Sequence, residues 1–188
     1  MLGRLGDMLE RMHRITRETF GKLGEESLQP PSSSCHSLVL ENARKQLEYA
    51  ARHLAPLARR EERLAAALEE TYAAIGPRDR FGFIHGELGP DHVLVNGRLE
   101  PMMIDIEGAE FCDIEHEHSF LQFRFGEFYR YLERPGLDPE RMRFYKLAHH
   151  LSCASGGIKL LQRGFPNRKL ASHIAHHNAR SALRFLEK

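Results

Sequence analysis

The sequence predicts an α+β domain, mainly helical, on three observations. Apolar residues recur at three- and four-residue steps at the start of the chain and again through a long middle segment. Between residues 81 and 104 the period changes: Phe81-Gly-Phe-Ile84, Val93-Leu-Val95 and Met102-Met-Ile104 are short apolar runs bounded by turn residues, which is how strands read. After Ile106 the helical period returns and holds to the end.

The first helix is expected from Leu2 to about Phe20, where Leu2, Leu5, Met8, Leu9, Met12 and Ile15 share a face, with its end near Gly21 or Gly24. Residues 24–37, GEESLQPPSSSCHS, form a flexible connector, because Pro30-Pro31 cannot sit inside a helix. From Leu38 to about Ile75 the spacing of Leu47, Ala50, Leu54, Leu57, Leu64, Leu68 and Tyr72 is helical; Pro56 bends or divides the region and Gly76-Pro77 stops it. Asn96-Gly97 predicts a tight two-residue type I′ turn, which needs positive φ at both central positions and joins two strands as a hairpin. Helices follow over Cys112 to Leu132, Asp138 to about Ala154 and Arg168 to Lys188, with Gly156-Gly157 and Gly164-Phe165-Pro166 as stops.

Composition sets the limits. The chain has 188 residues, 41% of them hydrophobic, enough for one domain over 1–188 with a real core. With 27 Lys+Arg against 26 Asp+Glu there is no basic surplus for phosphate backbones, so no nucleic-acid partner is expected. Cys35, Cys112 and Cys153 are odd in number and far apart, with no CxxC pair, and read as reduced cysteines of a cytoplasmic protein. The N-terminus carries charges every few residues, and no stretch approaches the roughly 20 apolar residues that span a bilayer, so no membrane partner is expected.

The chemistry concentrates in Phe83-Ile-His-Gly-Glu-Leu-Gly-Pro-Asp-His-Val-Leu-Val95 and Met103-Ile-Asp-Ile-Glu-Gly108. His85, Glu87, Asp91 and His92 lie in the loop between two strands, while Asp105 and Glu107 end a third. If those strands pair, the polar ends converge on one edge of the hairpin. Carboxylates and imidazoles on loops held by rigid strands suit a divalent-metal or acid–base site. They suit an ordinary charged surface loop as well.

These residues resemble the aminoglycoside phosphotransferase and choline-kinase-like branch of the protein-kinase-like fold. That family carries a His-Gly-Asp loop with an Asn five residues after the Asp, an Ile-Asp-Trp-Glu-like strand end, and a Gly-Asp-Pro segment with an acidic residue opening a helix. Here the loop is His85-Gly86-Glu87 with His92 at the Asn place, and the strand end is Ile104-Asp105-Ile106-Glu107. The later segment is Cys112-Asp113-Ile114, with Glu117 four residues beyond Asp113, and LGDMLERMHRI looks like the helix preceding the catalytic loop. The resemblance implies a kinase-like C-terminal lobe with a small β-hairpin carrying the catalytic loop and the N-terminal lobe absent. It implies ATP-dependent phosphoryl transfer to a hydroxyl of a small molecule. In that chemistry the protein supplies position, metal and a carboxylate that orients the attacking hydroxyl.

By position, Glu87 is the base, His85 the loop organiser, and His92 and Asp105 the ligands of Mg2+ or Mn2+. Asp91 and Glu107 support them; Asp113 caps the following helix and braces the loop. Two replacements depart from the pattern. Glu87 extends a carboxylate by about one C–C bond, roughly 1 to 1.5 Å, where a shift of that size can cost orders of magnitude in rate. His92 places an imidazole where a hard cation expects an oxygen, which favours manganese over magnesium. No glycine-rich loop precedes a strand and no Val-Ala-Ile-Lys-like strand occurs, so no nucleotide clamp is expected in this chain. The resemblance therefore implies a truncated or divergent phosphotransferase, whose partners are a nucleotide, a hydroxyl substrate and a missing N-terminal lobe or partner chain. The alternative is a non-catalytic, degenerate kinase-like lobe serving as a binding or interaction module.

The other clusters read blandly. Glu115 with His116-Glu-His118, His149-His150, and His173 with His176-His177 are expected as partly exposed helix residues in preference to a zinc site. Cys112 and Cys153 read as buried small hydrophobes, and Phe120 to Tyr131 as core plus the rim of a substrate cleft.

Overall fold

A computed structural model describes residues 1–22 and 34–187. In chain order they form α1 (Leu2–His13), β1 (Thr16–Arg17), β2 (Gly21–Lys22), α2 (Cys35–Ala51), α3 (Ala55–Ala58), α4 (Glu61–Ala73), β3 (Phe81–Ile84), β4 (Val93–Val95), β5 (Pro101–Met103), β6 (Glu110–Cys112), α5 (Ile114–Phe125), α6 (Pro139–Gln162) and α7 (Arg168–Leu183). The chain divides into two compact units, one of residues 1–35 and 76–142, the other of residues 36–75 and 143–188.

The first unit carries the site. Its four-stranded antiparallel sheet has the order β1-β3-β6-β2, with Gly82 opposite Cys112 and Ile84 opposite Glu110. Strands β4 and β5 pair separately, Val93 opposite Met103. Leu5 and Leu9 of α1 pack with Leu88, Leu121, Phe125, Tyr129 and Leu132, and Phe81, Ile84 and Phe111 centre a second cluster. Gly82 lets the end of α1 approach β3: a Cβ there would lie 2.5 Å from Ile114 Cγ2 and 3.1 Å from the His13 carbonyl oxygen.

The mainly helical α+β class stands, but the sheet is built differently from the expectation. Phe81–Ile84 does not join the hairpin; its partners are β1 and β6. Helix α1 ends at His13, not near Phe20, because Thr16–Arg17 and Gly21–Lys22 turn aside to pair with β3 and β6. The hairpin exists without its tight turn. Residues 96–100 form the connection, the Leu99 N–H bonds the Asn96 carbonyl, and the positive φ falls on Leu99 (57°) and on neither Asn96 nor Gly97. Asn96 Oδ1 accepts from the N–H groups of Arg98 and Glu100, so the asparagine stabilises a longer loop with its side chain.

The second unit packs Leu47, Leu57, Leu64, Leu68, Phe144, Tyr145 and Leu151 into one core. The long helical region is divided as expected, with Pro56 in the first turn of the short α3. Gly156-Gly157 is a different matter: α6 runs straight through it to Gln162. A Cβ on Gly157 would lie 2.5 Å from the Ala175 nitrogen of α7, so this glycine permits helix packing and stops nothing.

Two cysteines pair, against expectation. Cys35, at the start of α2, forms a disulfide with Cys112 in β6, across 77 residues of sequence and 5.6 Å between Cα atoms. Cys112 lies in a strand, and α5 begins only at Ile114. Of the expected connector, Cys35 to Ser37 are already helical, and residues 24–33 lie outside the described residues. No helix among the described residues is long and apolar enough to cross a membrane.

Candidate active site

Strand β3 delivers His85 into the interior, 1% exposed, and the chain then turns at Gly86 with φ of 89°. A Cβ on Gly86 would lie 2.6 Å from the Gly108 carbonyl oxygen, so only glycine lets this loop press against residues 106–108. The His85 Nε2–H donates to the carbonyl of Ile104 at 2.9 Å, tying the loop to the strand end that carries Asp105. Glu87 is exposed beside Gly108.

His92 closes the loop at the foot of β4. Its Nδ1–H donates to the Glu87 carbonyl at 2.9 Å, which leaves the Nε2 lone pair 3.3 Å from Asp105 Oδ2. Its ring stacks on that of His85, with centroids 5.9 Å apart and planes at 18°. Asp105 sits in the left-handed region, φ 64° and ψ 52°, a conformation that costs a non-glycine residue about 1 kcal/mol or more and is characteristic of functional turns. The fold thus brings the side chains of His85 and His92 together with Asp105 from two segments, and Glu87 joins them through its backbone carbonyl.

Asp91 and Asp113 are engaged by arginines. Asp91 pairs with Arg124 of α5; burial raises its carboxyl, but the Arg124 hydrogen bond and charge hold it below the usual range. Glu107 is exposed on the 106–108 turn. Asp113 heads α5 but makes no side-chain capping bond; it is fully buried and ion-paired with Arg141 and Arg78.

The loop is braced by Glu117 instead. Its Oε1 accepts from the N–H groups of His85 at 3.0 Å and Gly86 at 3.2 Å, and its Oε2 lies 2.7 Å from His13 Nε2. Sequence reasoning assigned neither Glu117 nor His13 a role. The signal was the spacing Leu5, Leu9, His13, which puts an imidazole at the next inward position of an apolar stripe.

Asp105 Oδ2 and His92 Nε2, 3.3 Å apart, are close to the separation of about 3 Å between neighbouring ligands on an ion bound at about 2.1 Å. Among the described residues no third His, Cys, Asp or Glu completes a metal cluster, so water and phosphate oxygens would fill the other positions. Carboxylate oxygen with imidazole nitrogen suits Mn2+ at least as well as Mg2+.

The histidine clusters are not uniformly exposed. His118 and His150 are 1% and 5% exposed, and burial lowers the pKa of His118 to about 3 and that of His116 to about 4, whereas His173, His176 and His177 face solvent. Of the aromatic stretch, Phe125 and Tyr129 are core while Phe128 and Tyr131 are about half exposed.

A helical lobe, a hairpin and a braced His-Gly-Glu loop facing an Asp-bearing strand end define a kinase-like C-terminal lobe of the kind found in small-molecule phosphotransferases. The chain belongs to the phosphotransferase enzyme family (APH), whose family model matches residues 1–152. It is similar in fold to choline kinase LicA from Streptococcus pneumoniae, with a TM-score of 0.66 at 15% identity over 98% of this chain and 62% of that one. Spectinomycin phosphotransferase APH(9)-Ia, in complex with ADP and spectinomycin, gives a TM-score of 0.58 at 14% identity over 100% of this chain and 65% of that one. The GDP complex of wild-type aminoglycoside 2'-phosphotransferase-IIIa gives 0.55 at 17% identity over 96% of this chain and 62% of the other. The chain therefore spans less than two thirds of these relatives. No curated protein matches it.

Proposed function

We propose that this lobe belongs to a small-molecule phosphotransferase that moves the terminal phosphoryl group of ATP to a substrate hydroxyl. The observation that carries the reading is the approach of His92 to Asp105, with the His92 ring held by the Glu87 carbonyl on a loop whose backbone is fixed by Glu117. Glu87 orients the acceptor hydroxyl and takes its proton. His85 holds the loop to the Asp105 strand end. Asp105 and His92 hold Mg2+ or Mn2+, which supplies charge neutralisation of the phosphates when bound. In this reading the clamp over the nucleotide comes from a second lobe or a partner chain, and the acceptor is an aminoglycoside- or choline-like alcohol. Solved structures similar in fold support the nucleotide and acceptor classes, since spectinomycin phosphotransferase holds ADP and spectinomycin and aminoglycoside 2'-phosphotransferase-IIIa holds GDP.

Calorimetric titration with ATP tests the proposal, with and without Mn2+ or Mg2+. Binding is expected only with metal, and Asp105→Asn should weaken it by about tenfold or more, the loss of one charged ligand. Equal binding by both proteins overturns the assignment of Asp105.

A second reading, a non-catalytic lobe that binds a partner, is favoured by one observation: His92 Nε2 lies 3.3 Å from Asp105 Oδ2, so the two side chains can partner each other directly without metal. A cooperatively melting protein with no metal-dependent nucleotide binding supports this reading.

A further inference from the structure

We propose that the outer face of α7 is a docking surface for a short acidic segment of a partner protein. The inference is independent of the phosphotransferase reading and concerns the second unit alone. It starts from where the charge lies. Over the whole chain the charges nearly balance, but residues 141–186 hold nine Lys+Arg and no Asp or Glu, while the rest carries 18 Lys+Arg against 26 Asp+Glu. Near-neutrality hides a basic end and an acidic remainder.

Helix α7 turns this imbalance into a row. Ala171, Ala175, Ala179 and Ala182 are buried, so the inner face of the helix is taken. Lys169, His173, His176 and Arg180 follow at steps of four, three and four, the spacing of one helix face, and all four are exposed. With Arg168 they line an open groove of about 590 Å³, with no Asp or Glu on its walls among the described residues. The His176 Nδ1–H donates to the Ser172 carbonyl at 2.9 Å, which leaves Nε2 for a ligand. From Lys169 to Arg180 the row runs about 16 Å, at 1.5 Å per helical residue. A single phosphate covers a fraction of that length, and an extended peptide of about five residues covers it all.

Solubility does not account for the row. Elsewhere in the same unit exposed cations stand beside carboxylates: Lys45 pairs with Glu41, and Arg44 with Glu69. On α7, Arg168 and Lys169 occupy the first turn, at the positive end of the helix dipole, with no acidic residue there to offset them. Arg180 and Arg184, one turn apart and both exposed, repel each other. Each placement weakens the helix, and each is relieved by an anion from outside the chain. The acidic remainder decides between anions. A nucleic acid is a continuous polyanion that the carboxylate surplus of the other residues repels, and the groove has no Phe, Tyr or Trp among the described residues for bases to stack on. A short run of Asp and Glu ends with the row.

Fluorescence anisotropy with a labelled hexaglutamate peptide tests the surface, on the full chain and without nucleotide. Binding is expected at low salt and should weaken as salt rises from about 50 to 200 mM. Lys169→Gln with Arg180→Gln, which keeps helix propensity, should weaken it by about tenfold or more, the worth of two charge-assisted contacts. Arg59→Gln with Arg60→Gln removes the same charge at exposed residues of the same unit and should change binding by less than about twofold. No binding by the unaltered chain, or equal weakening by both double variants, overturns the proposal. A single-stranded oligonucleotide of equal charge that binds as tightly through Lys169 and Arg180 also overturns it, and makes the partner a nucleic acid. Inorganic phosphate that displaces the peptide at comparable concentration overturns it in favour of a small anion. Self-association of the chain that is lost with Lys169→Gln and Arg180→Gln overturns it in favour of a second copy.

Discussion

In the proposed site, His92 is the residue on which the metal chemistry would turn. Its Nδ1 is committed to the Glu87 carbonyl, so Nε2 is the atom available to an ion shared with Asp105. Nitrogen there disfavours magnesium, a small cation that prefers oxygen, more than manganese. The proposed ligand set therefore predicts that His92→Asn, which restores an amide oxygen, shifts the ratio of nucleotide affinities in Mg2+ and Mn2+ toward Mg2+ by about fivefold or more. Paired titrations in the two metals check it, and an unchanged ratio removes His92 from the site. Asp91 is no substitute, because Arg124 holds its carboxylate. The proposed site residues His85, Glu87, His92 and Asp105 could be picked out of the sequence because they lie in two compact motifs. The brace could not: a buried carboxylate is recognised by the donors around it, and His13 and Glu117 lie 104 residues apart.

At the level of elements, short-range signals read differently depending on what packs on them. Asn96-Gly97 marked a hairpin correctly, yet the turn took five residues because Asn96 caps Arg98 and Glu100 with its own side chain. The strands β1, β2 and β6 escaped notice since each is only two or three residues long and carries no alternation of its own. Gly156-Gly157 looked like a stop, and the structure separates the two glycines. Nothing lies within 4 Å of a Cβ placed on Gly156, whereas one on Gly157 meets the Ala175 nitrogen at 2.5 Å and the Ala171 carbonyl oxygen at 2.7 Å. Gly156→Ala should stabilise the protein by about 0.5–1 kcal/mol, the helix-propensity gain. Gly157→Ala should destabilise it by roughly 1–3 kcal/mol, since backbone of α7 must move. Urea unfolding of the two variants reads the sign of each. Stabilisation by both would mean that α6 and α7 are not in close contact.

For the whole molecule, the features that escaped the sequence are those made by distant segments: the division into two units, the sheet assembled from residues 16 to 112, and the Cys35–Cys112 disulfide. Pairing across 77 residues leaves no spacing to recognise. Burial of imidazoles is of the same kind, and it sets the response to acid. His118 is enclosed by its own unit, with Nδ1 bonded to the Tyr129 hydroxyl at 3.1 Å. Desolvation, then the nearby His13 and Arg134, lowers its pKa to about 3, and burial lowers that of His116 to about 4. In the unfolded chain both titrate near pH 6.5. The folded state thus refuses protons that the unfolded state accepts, so its advantage is complete above pH 6.5 and is lost as pH falls toward 4 and then 3. At about 1.4 kcal/mol per pH unit, His118 alone removes on the order of 3 kcal/mol between pH 6.5 and 4. His116 acts with the same sign. Unfolding free energy from urea titrations should therefore fall steadily over this interval, and His118→Gln should flatten the slope whatever it does to stability at pH 7. A wild-type free energy that stays level from pH 6.5 to 4.5 would mean that these imidazoles accept protons without unfolding, and that the packing around α5 opens to water.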